Sequence, residues 1–517
     1  MVLQQIFVVS DLHLGGPSID DGRRGQRICS HSSTLARFIR AVADLPSATA
    51  QLVINGDFVD FLLPTGQEGA AFIADPTAAE ARLQQIVNGY DAQVFLELRR
   101  LLTRGHTLRI LLGNHDLELA LPKVKEVLAA ALGIAPHNLW LRSDAYTVGG
   151  AVIVHGNQYD AWNKVDYEAL ARYAAWSENP IGPPPRFSPP PGSCLVIEVM
   201  NPLKERYPFV DLLKPEEESV IPLLLLLEPE HLTRVAGSCR LLTEERLGRA
   251  KALVKKFLGR YLALAAHLRM GGIRTTPELE GTIEQIGLLA LEADLVVVAG
   301  TLLQTMDPVD AEEFLCELYL PIHNVSEGGA SHIDEDLVSI SAAGYLKEKL
   351  GLLTLYRLRH SELRDEYERR LRALQRALRA LCRDRSFDIG HESRGMTLRG
   401  AENLAAVFNA RFVIFGHTHL AKQIQIATSP PERAVCYLNC GTWADLLRIP
   451  ENVFSDNEVT ARNALNALVK QLLEPTSSLP FAEATSLTYV RLVLDDNGQV
   501  TKAKLTTYPD IHGSFAV

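Results

Sequence analysis

The apolar positions of this chain fall into short unbroken runs separated by longer amphipathic stretches. IFVVS, LVING, LRILLG and AVIVHG precede residue 160, and RFVIFG and AVCYLNCGTW follow residue 410. Runs without polar alternation suit strands covered on both faces. Between them the spacing predicts helices near 32–46, 77–104, 122–132, 398–409 and 457–473. Strands alternating with helices of this length indicate an α/β architecture. The last apolar pair, SLTYVRLVL and QVTKAKLTTY, reads as a hairpin joined through Asp495-Asp496-Asn497-Gly498, where Asn-Gly favours a tight turn.

The pattern breaks at a run of prolines, Pro180, Pro183, Pro184, Pro185, Pro189, Pro190 and Pro191, which stiffens the backbone into an extended connector. Beyond it the periodicity turns mainly helical, with helices expected near 243–270, 276–299, 309–320, 334–350 and 354–384. With 517 residues the chain exceeds one ordinary core. The expected division is therefore a core in two parts, 1–180 and 396–517, interrupted by a helical, cap-like insertion domain over 181–395. In the 354–384 helix, Leu358, Leu363, Tyr367, Leu371, Leu374, Leu378 and Leu381 form one apolar stripe. The other faces are rich in arginine, as a solvated surface laced with ion pairs, as a surface for anionic substrate or lipid headgroups, or as one for nucleic acid.

Composition narrows the classes. A net charge of -10 argues against a general nucleic-acid coat, so nucleic acid is not the favoured partner. Seven cysteines, an odd number with no CxxC pair, suit reduced thiols. No basic, apolar leader precedes the first strand, and no apolar run approaches the roughly 20 residues of a membrane span. The expected location is cytoplasmic, with peripheral membrane contact left open.

Five short motifs follow the strand-like runs in order: Asp11-Leu12-His13, Gly56-Asp57, Gly113-Asn114-His115-Asp116, His155-Gly156-Asn157 and Gly416-His417-Thr418-His419. Singly each is weak, because a D-x-H or H-x-H arises by chance in many chains. Together they supply the His, Asp and Asn that two adjacent divalent ions need, with one carboxylate to bridge them. Asp57 is the expected bridge. One ion would take Asp11, His13 and His419, and the other Asn114, His155 and His417. The two histidines of H-x-H would divide between the ions, since alternate residues of an extended segment project to opposite sides. A hydroxide bridging the ions is the natural nucleophile against phosphorus. His115, outside both ligand sets, is the expected catalytic residue that steadies the phosphoryl group or protonates the leaving oxygen. Asp116 would orient His115, and Asp60 would do the same for a ligand histidine.

As a set these motifs resemble the calcineurin-like metallophosphoesterases, over about 1–180 and 396–517. The resemblance implies a four-layer α-β-β-α sandwich, a binuclear centre with Mn2+ first among Mn, Fe, Zn, Co and Ni, and the ligand and His115 roles just given. Ser10-Asp11-Leu12-His13-Leu14 with Gly56-Asp57-Phe58-Val59-Asp60 is most similar to the UDP-2,3-diacylglucosamine diphosphatase branch, which implies a helical cap before GHxH. The expected function is hydrolysis of a phosphomonoester, phosphodiester or pyrophosphate bond, on a nucleotide-linked or lipid-linked phosphate. A nuclease of the DNA-repair type shares the five motifs. A non-catalytic scaffold of the same fold would have lost ligands, and here every ligand position is filled.

Overall fold

A computed structural model of the chain describes residues 4–16, 27–63, 75–160, 163–190, 192–193, 196–204, 207, 209–214, 371–372, 375, 378, 386–392, 395–426, 434–473 and 481–508. The chain separates into two compact units. The first comprises Met1–Pro208, Arg385–Leu446 and Glu483–Val517, and the second Phe209–Asp384 and Leu447–Ala482. The first unit is mixed α/β. Its strands are β1 Gln5–Val9, β2 Ala50–Asn55, β3 Thr107–Leu111, β4 Leu141–Arg142, β5 Tyr146–Val148, β6 Ala151–Ile153, β7 Phe412–Phe415, β8 Lys422–Ile426, β9 Val435–Asn439, β10 Thr488–Leu494 and β11 Val500–Thr507.

They form two sheets, ordered β11-β10-β1-β2-β3-β4 and β5-β6-β7-β9-β8. β1, β2 and β3 run parallel in register, Val9 beside Ile54 and Asn55 beside Leu111. In the second sheet β6, β7 and β9 are parallel, Ile153 beside Ile414 and Phe415 beside Asn439. The C-terminal hairpin pairs β10 with β1, Ile6 opposite Leu492, and turns at Gly498, whose φ is 74°.

Alternation along each strand explains why the apolar runs are continuous. Phe7, Val9, Leu52, Ile54 and Ile110 pack with the helices α1 Ser32–Ala43, α3 Ala92–Thr103 and α4 Pro122–Leu132 through Leu35, Phe38, Val42, Leu98, Leu101 and Leu128. The intervening Ile6, Val8, Val53 and Leu111 join Ile153, Ile414 and Leu438 of the second sheet in one cluster. The other face of that second sheet, through Val152, Val413, Phe415 and Tyr437, packs on Ala401 and Ala405 of the helix Gly395–Phe408. Each such side chain contributes about 1.5–3 kcal/mol on burial. Val53→Asp would place an uncompensated charge among these apolar neighbours and break the cluster.

The expected helix over 77–104 is two helices, α2 Pro76–Asn88 and α3. The break falls at Gly89-Tyr90-Asp91, where Asp91 turns inward. It accepts hydrogen bonds from Gly15 N–H (2.8 Å), the Arg27 guanidinium and the Ser32 hydroxyl. That buried network outweighs helix continuity, and periodicity alone does not register it. α2 starts sharply because Pro76 sits in its first turn and the Asp75 carboxylate accepts from Thr77 and Ala78 N–H. The helix α5 Tyr167–Glu178 was not expected and is capped by Asp166, which accepts from Ala169 N–H.

In the second unit, the helix Glu458–Leu473 falls on the expected 457–473. Of the expected insertion helices, those at 243–270, 276–299, 309–320 and 334–350 lie outside the described residues. For 354–384, only Leu371, Arg372, Gln375 and Leu378 are described; all four are helical, and Leu371 and Leu378 of the apolar stripe are buried. No helix among the described residues is long and apolar enough to cross a membrane.

Candidate metal centre

Every motif sits just past the C-terminal end of a parallel strand. Asp11 and His13 follow β1, Asp57 follows β2, Asn114 and His115 follow β3, His155 follows β6, and His417 and His419 follow β7. Past the strand ends the loops bond to one another. Asp11 N–H donates to Gly56 O, and Leu12 and His13 N–H donate to Asp57 O, at 2.9–3.1 Å. Gly416 N–H donates to His155 O at 2.8 Å.

The backbone turns abruptly at these points. Asp11, His13, Asp57, His417 and His419 have φ of 54°, 44°, 50°, 68° and 62°. They are five of the seven non-glycine residues with positive φ among those described, so this conformation is concentrated at the cluster. Each such residue costs on the order of 1–3 kcal/mol and persists only where its surroundings over-determine it. The motif glycines have a second cause. A Cβ on Gly113 would lie 2.0 Å from Asp57 Oδ1, and one on Gly416 would lie 1.8 Å from Ser10 Oγ and 2.6 Å from Asp11 Oδ2. On Gly56 it would lie 2.2 Å from His155 Nδ1. These glycines are required by close approach to the very side chains the motifs carry.

Three overlapping groups of side chains result, Asp11 with His13 and His419, His13 with Asp57 and His115, and Asp57 with His155 and His417. Within each, one ligand atom per residue lies within 4.8 Å of the others. Asp57 Oδ2 is 3.8 Å from His13 Nε2 and 3.2 Å from His155 Nε2, which places it between the flanking groups. His419 Nε2 is 3.0 Å from His13 Nε2 and 3.4 Å from Asp11 Oδ1. The two histidines of H-x-H thus face different groups, but not because the segment is extended. Both have left-handed φ, and the Asp11 carboxylate accepts His417 N–H at 2.9 Å.

Hydrogen bonds also select the nitrogens available inward. His155 Nδ1 meets Asn55 O at 2.8 Å, so Nε2 is the nitrogen that faces the cluster, 3.2 Å from Asp57 Oδ2. Asp60 Oδ2 meets both His13 Nδ1 (3.0 Å) and His115 Nδ1 (3.1 Å). Asp60 therefore orients a cluster histidine, as expected, and also takes the place beside His115 expected for Asp116. Asp116 instead accepts Gly113 N–H at 2.7 Å and Phe58 N–H at 2.8 Å, one on each oxygen, and so braces the turn.

Burial works to raise the carboxyl pKa of Asp57, but His155, His115 and His13 outweigh it and hold the group well below the usual carboxylate range. Asp60 is likewise lowered by His115 and His13 against burial, and Asp11 by His419 and His155. Burial opposes charge on His155, yet Asp57 and Asp11 push it up to about 10. Asp116 is pushed up to about 7 by burial and by Asp57. The cluster is thus a dense set of anions matched by imidazoles, where cations would be strongly held.

The donors are carboxylates, imidazoles and one amide oxygen, a set suited to Mn, Fe or Zn rather than to soft thiolate chemistry. Asn114 Oδ1 is buried and, among the described residues, accepts no hydrogen bond, as a ligand oxygen reserved for a cation would be. The residues present therefore fit divalent metal.

Sequence reasoning missed Asp160 and Asn163. Asp160 Oδ2 lies 3.0 Å from His417 Nε2, and Asn163 links Asp160 to Asn114. A carboxylate five residues after His155 was the available signal, and alone it is too common to weigh.

The calcineurin-like phosphoesterase family model matches residues 5–209, a span from β1 past His155 that ends before His417 and His419. No curated protein and no solved structure matches the chain. Residues 5–209 thus carry a calcineurin-like phosphoesterase domain, which supports a metal-dependent hydrolase of phosphate esters, and the clustered His and Asp groups could hold its metal.

Proposed function

We propose that this chain is a binuclear metal-dependent phosphoesterase that hydrolyses a phosphomonoester, phosphodiester or pyrophosphate bond. The observation that carries the reading is the position of Asp57 between two His/Asp groups that draw on both sheets. Asp11, His13 and His419 would hold one ion, Asn114, His155 and His417 the other, and Asp57 both. Mn2+ is the first choice, with Fe, Zn, Co or Ni as alternatives. When bound, the ions supply Lewis acidity and lower the pKa of water enough to make a nucleophile near neutral pH.

The chain's own residues do the rest. Asn55 O and Asp60 fix the tautomers of His155 and His13 so that Nε2 of each faces inward. Asp60 also holds His115 by Nδ1. The His115 ring is 17% exposed where that of His13 is fully buried, so His115 can reach a substrate. Its Nε2 is placed to steady the phosphoryl oxygens or pass a proton to the leaving oxygen. We retain Asp116 as a support of this loop and assign the orienting role to Asp60.

The three hydrophobic clusters support the four-layer α-β-β-α sandwich as the scaffold. A nucleotide-linked or lipid-linked phosphate is the substrate class we favour, selected by a helical insertion over 181–395. Cys29, Cys436 and Cys440 are free, buried thiols, which supports a cytoplasmic location. The test is metal analysis of protein purified without chelator, with turnover of p-nitrophenyl phosphate and its bis ester in Mn2+. Two ions per chain and hydrolysis of either ester are expected. A single ion per chain overturns the binuclear reading, and no bound ion, or full turnover by Asp57→Asn, overturns the metal-dependent phosphoesterase reading itself.

A further inference from the structure

The loop after β6 carries polar side chains that the phosphoesterase reading leaves unused. His417 Nε2 lies 3.0 Å from Asp160 Oδ2. The same oxygen accepts Asn163 Nδ2–H at 2.9 Å, and Asn163 Oδ1 accepts Asn114 Nδ2–H at 3.3 Å. One continuous path therefore runs from His417 through Asp160 and Asn163 to Asn114, two residues that lie far apart in sequence and on different sheets. The path is anchored. Asn163 O accepts Asn157 Nδ2–H at 2.9 Å, and the Tyr167 hydroxyl donates to Asn157 Oδ1 at 3.3 Å. Gly192, at the end of the proline connector, comes so close that a Cβ would lie 2.2 Å from Asn163 Oδ1. Ser193 Oγ donates to Asn114 O at 3.4 Å.

We propose that Asp160 and Asn163 form a polar clamp that positions His417 and Asn114 around the second of the two ions, an inference that rests on the binuclear reading above. With Nε2 of His417 directed at Asp160, Nδ1 is the nitrogen left for the ion. With Nδ2 of Asn114 donating to Asn163, its amide is held so that Oδ1, buried and without a hydrogen-bond partner among the described residues, is the atom presented. A ligand whose second polar atom is tied down cannot rotate or flip, so the geometry is set before the ion arrives. The first ion has no share in this clamp, because His13 is oriented by Asp60. Asp160 and Asn163 are positioning residues, and their loss should weaken one ion selectively.

The experiment is Mn2+ binding to the full chain, measured by competition with a metal indicator and by metal content after dialysis. Wild type is compared with Asp160→Ala, Asp160→Asn, Asn163→Ala and, as a control, Asp166→Ala, which removes only the cap of α5. Wild type should bind two ions. Asp160→Ala and Asn163→Ala should each weaken the second ion by about 10–100-fold and leave the first unchanged, the usual effect of losing an outer partner of a ligand. Asp160→Asn should recover part of the loss, because its amide oxygen still accepts from His417. Combining Asp160→Ala with Asn163→Ala in one chain should cost less than the sum of the two, as for members of one network. The control should lower Tm without altering either affinity. Two ions bound with wild-type affinity by both alanine variants overturns the clamp and leaves the phosphoesterase reading standing. A wild-type chain that binds a single ion overturns the binuclear reading and the clamp with it. If Asp160→Ala fails to fold, Asn163→Ala decides by the same criterion.

Discussion

The two sides of the candidate metal centre are braced by carboxylates in opposite surroundings. On one side the Asp60 side chain is 1% exposed and holds His13 and His115 through one oxygen. On the other, the Asp160 side chain is 22% exposed and holds His417 with Asn163 as its neighbour. The difference teaches where each brace gets its strength. A buried carboxylate between imidazoles has no water to replace a lost partner, so charge and position are coupled. A partly exposed carboxylate is screened, and contributes mainly orientation.

Four substitutions would break or sharpen that contrast. Asp57 lies between the two sides, and Asp57→Asn removes the charge both ions would share. We expect loss of both ions and the largest fall in turnover of the set, read by metal analysis beside initial rates. Asp60→Ala comes next, because it releases the buried His13 and the partly exposed His115 together from the carboxylate that holds both. Turnover should fall by more than for any variant confined to the Asp160 side, with weaker binding of the first ion. Equal losses at Asp60 and Asp160 would erase the asymmetry.

His115→Ala tests what the Asp60 side is for. Turnover should drop by roughly 10²–10⁴, the range for a lost acid–base group, while both ions stay bound. Loss of metal would instead make His115 a ligand, in line with its place in a group with His13 and Asp57.

The smallest effect is at Glu118, beyond the proposed ligands on the same loop. Burial pushes its carboxyl from the ordinary 4.5 up to about 8, and Oε2 is buried with no hydrogen-bond partner among the described residues. Between those values the folded state keeps a proton that the unfolded chain releases. Stability from this group is therefore full below about pH 4.5 and is lost as pH rises through about 8. Glu118→Gln should flatten that decline and raise Tm above about pH 8, by thermal melts across pH, with no change in bound metal. A decline as steep as wild type's would show that Glu118 does not titrate in this way.

Much of the fold was legible because the parallel strands are covered on both faces, which writes them as unbroken apolar runs such as IFVVS and RFVIFG. The helix over 77–104 was not divided correctly, since the turn at Gly89-Tyr90-Asp91 answers to Arg27 and Gly15, remote in sequence. The residues that cluster were legible too, because Gly56, Gly113 and Gly416 mark places where backbone must approach a functional side chain. Their partners were less so. The exchange of Asp116 for Asp60 beside His115 depends on which carboxylate the β2 and β3 loops turn inward. Asp160 and Asn163 lie on a polar stretch with no spacing to distinguish them.

The sequence by itself determined which strands are buried on both sides, and which short motifs stand at their ends. Hydrophobic periodicity and glycine are local properties, so they survive in one dimension. Only the tertiary structure decided how those ends meet, with Asp57 between two groups, His417 and His419 turned apart by left-handed backbone, and Asp160 brought against His417. Those choices depend on register between strands and on hydrogen bonds between residues remote in sequence, as from His417 N–H to Asp11, 406 residues away. Such distances leave no periodic trace along the sequence.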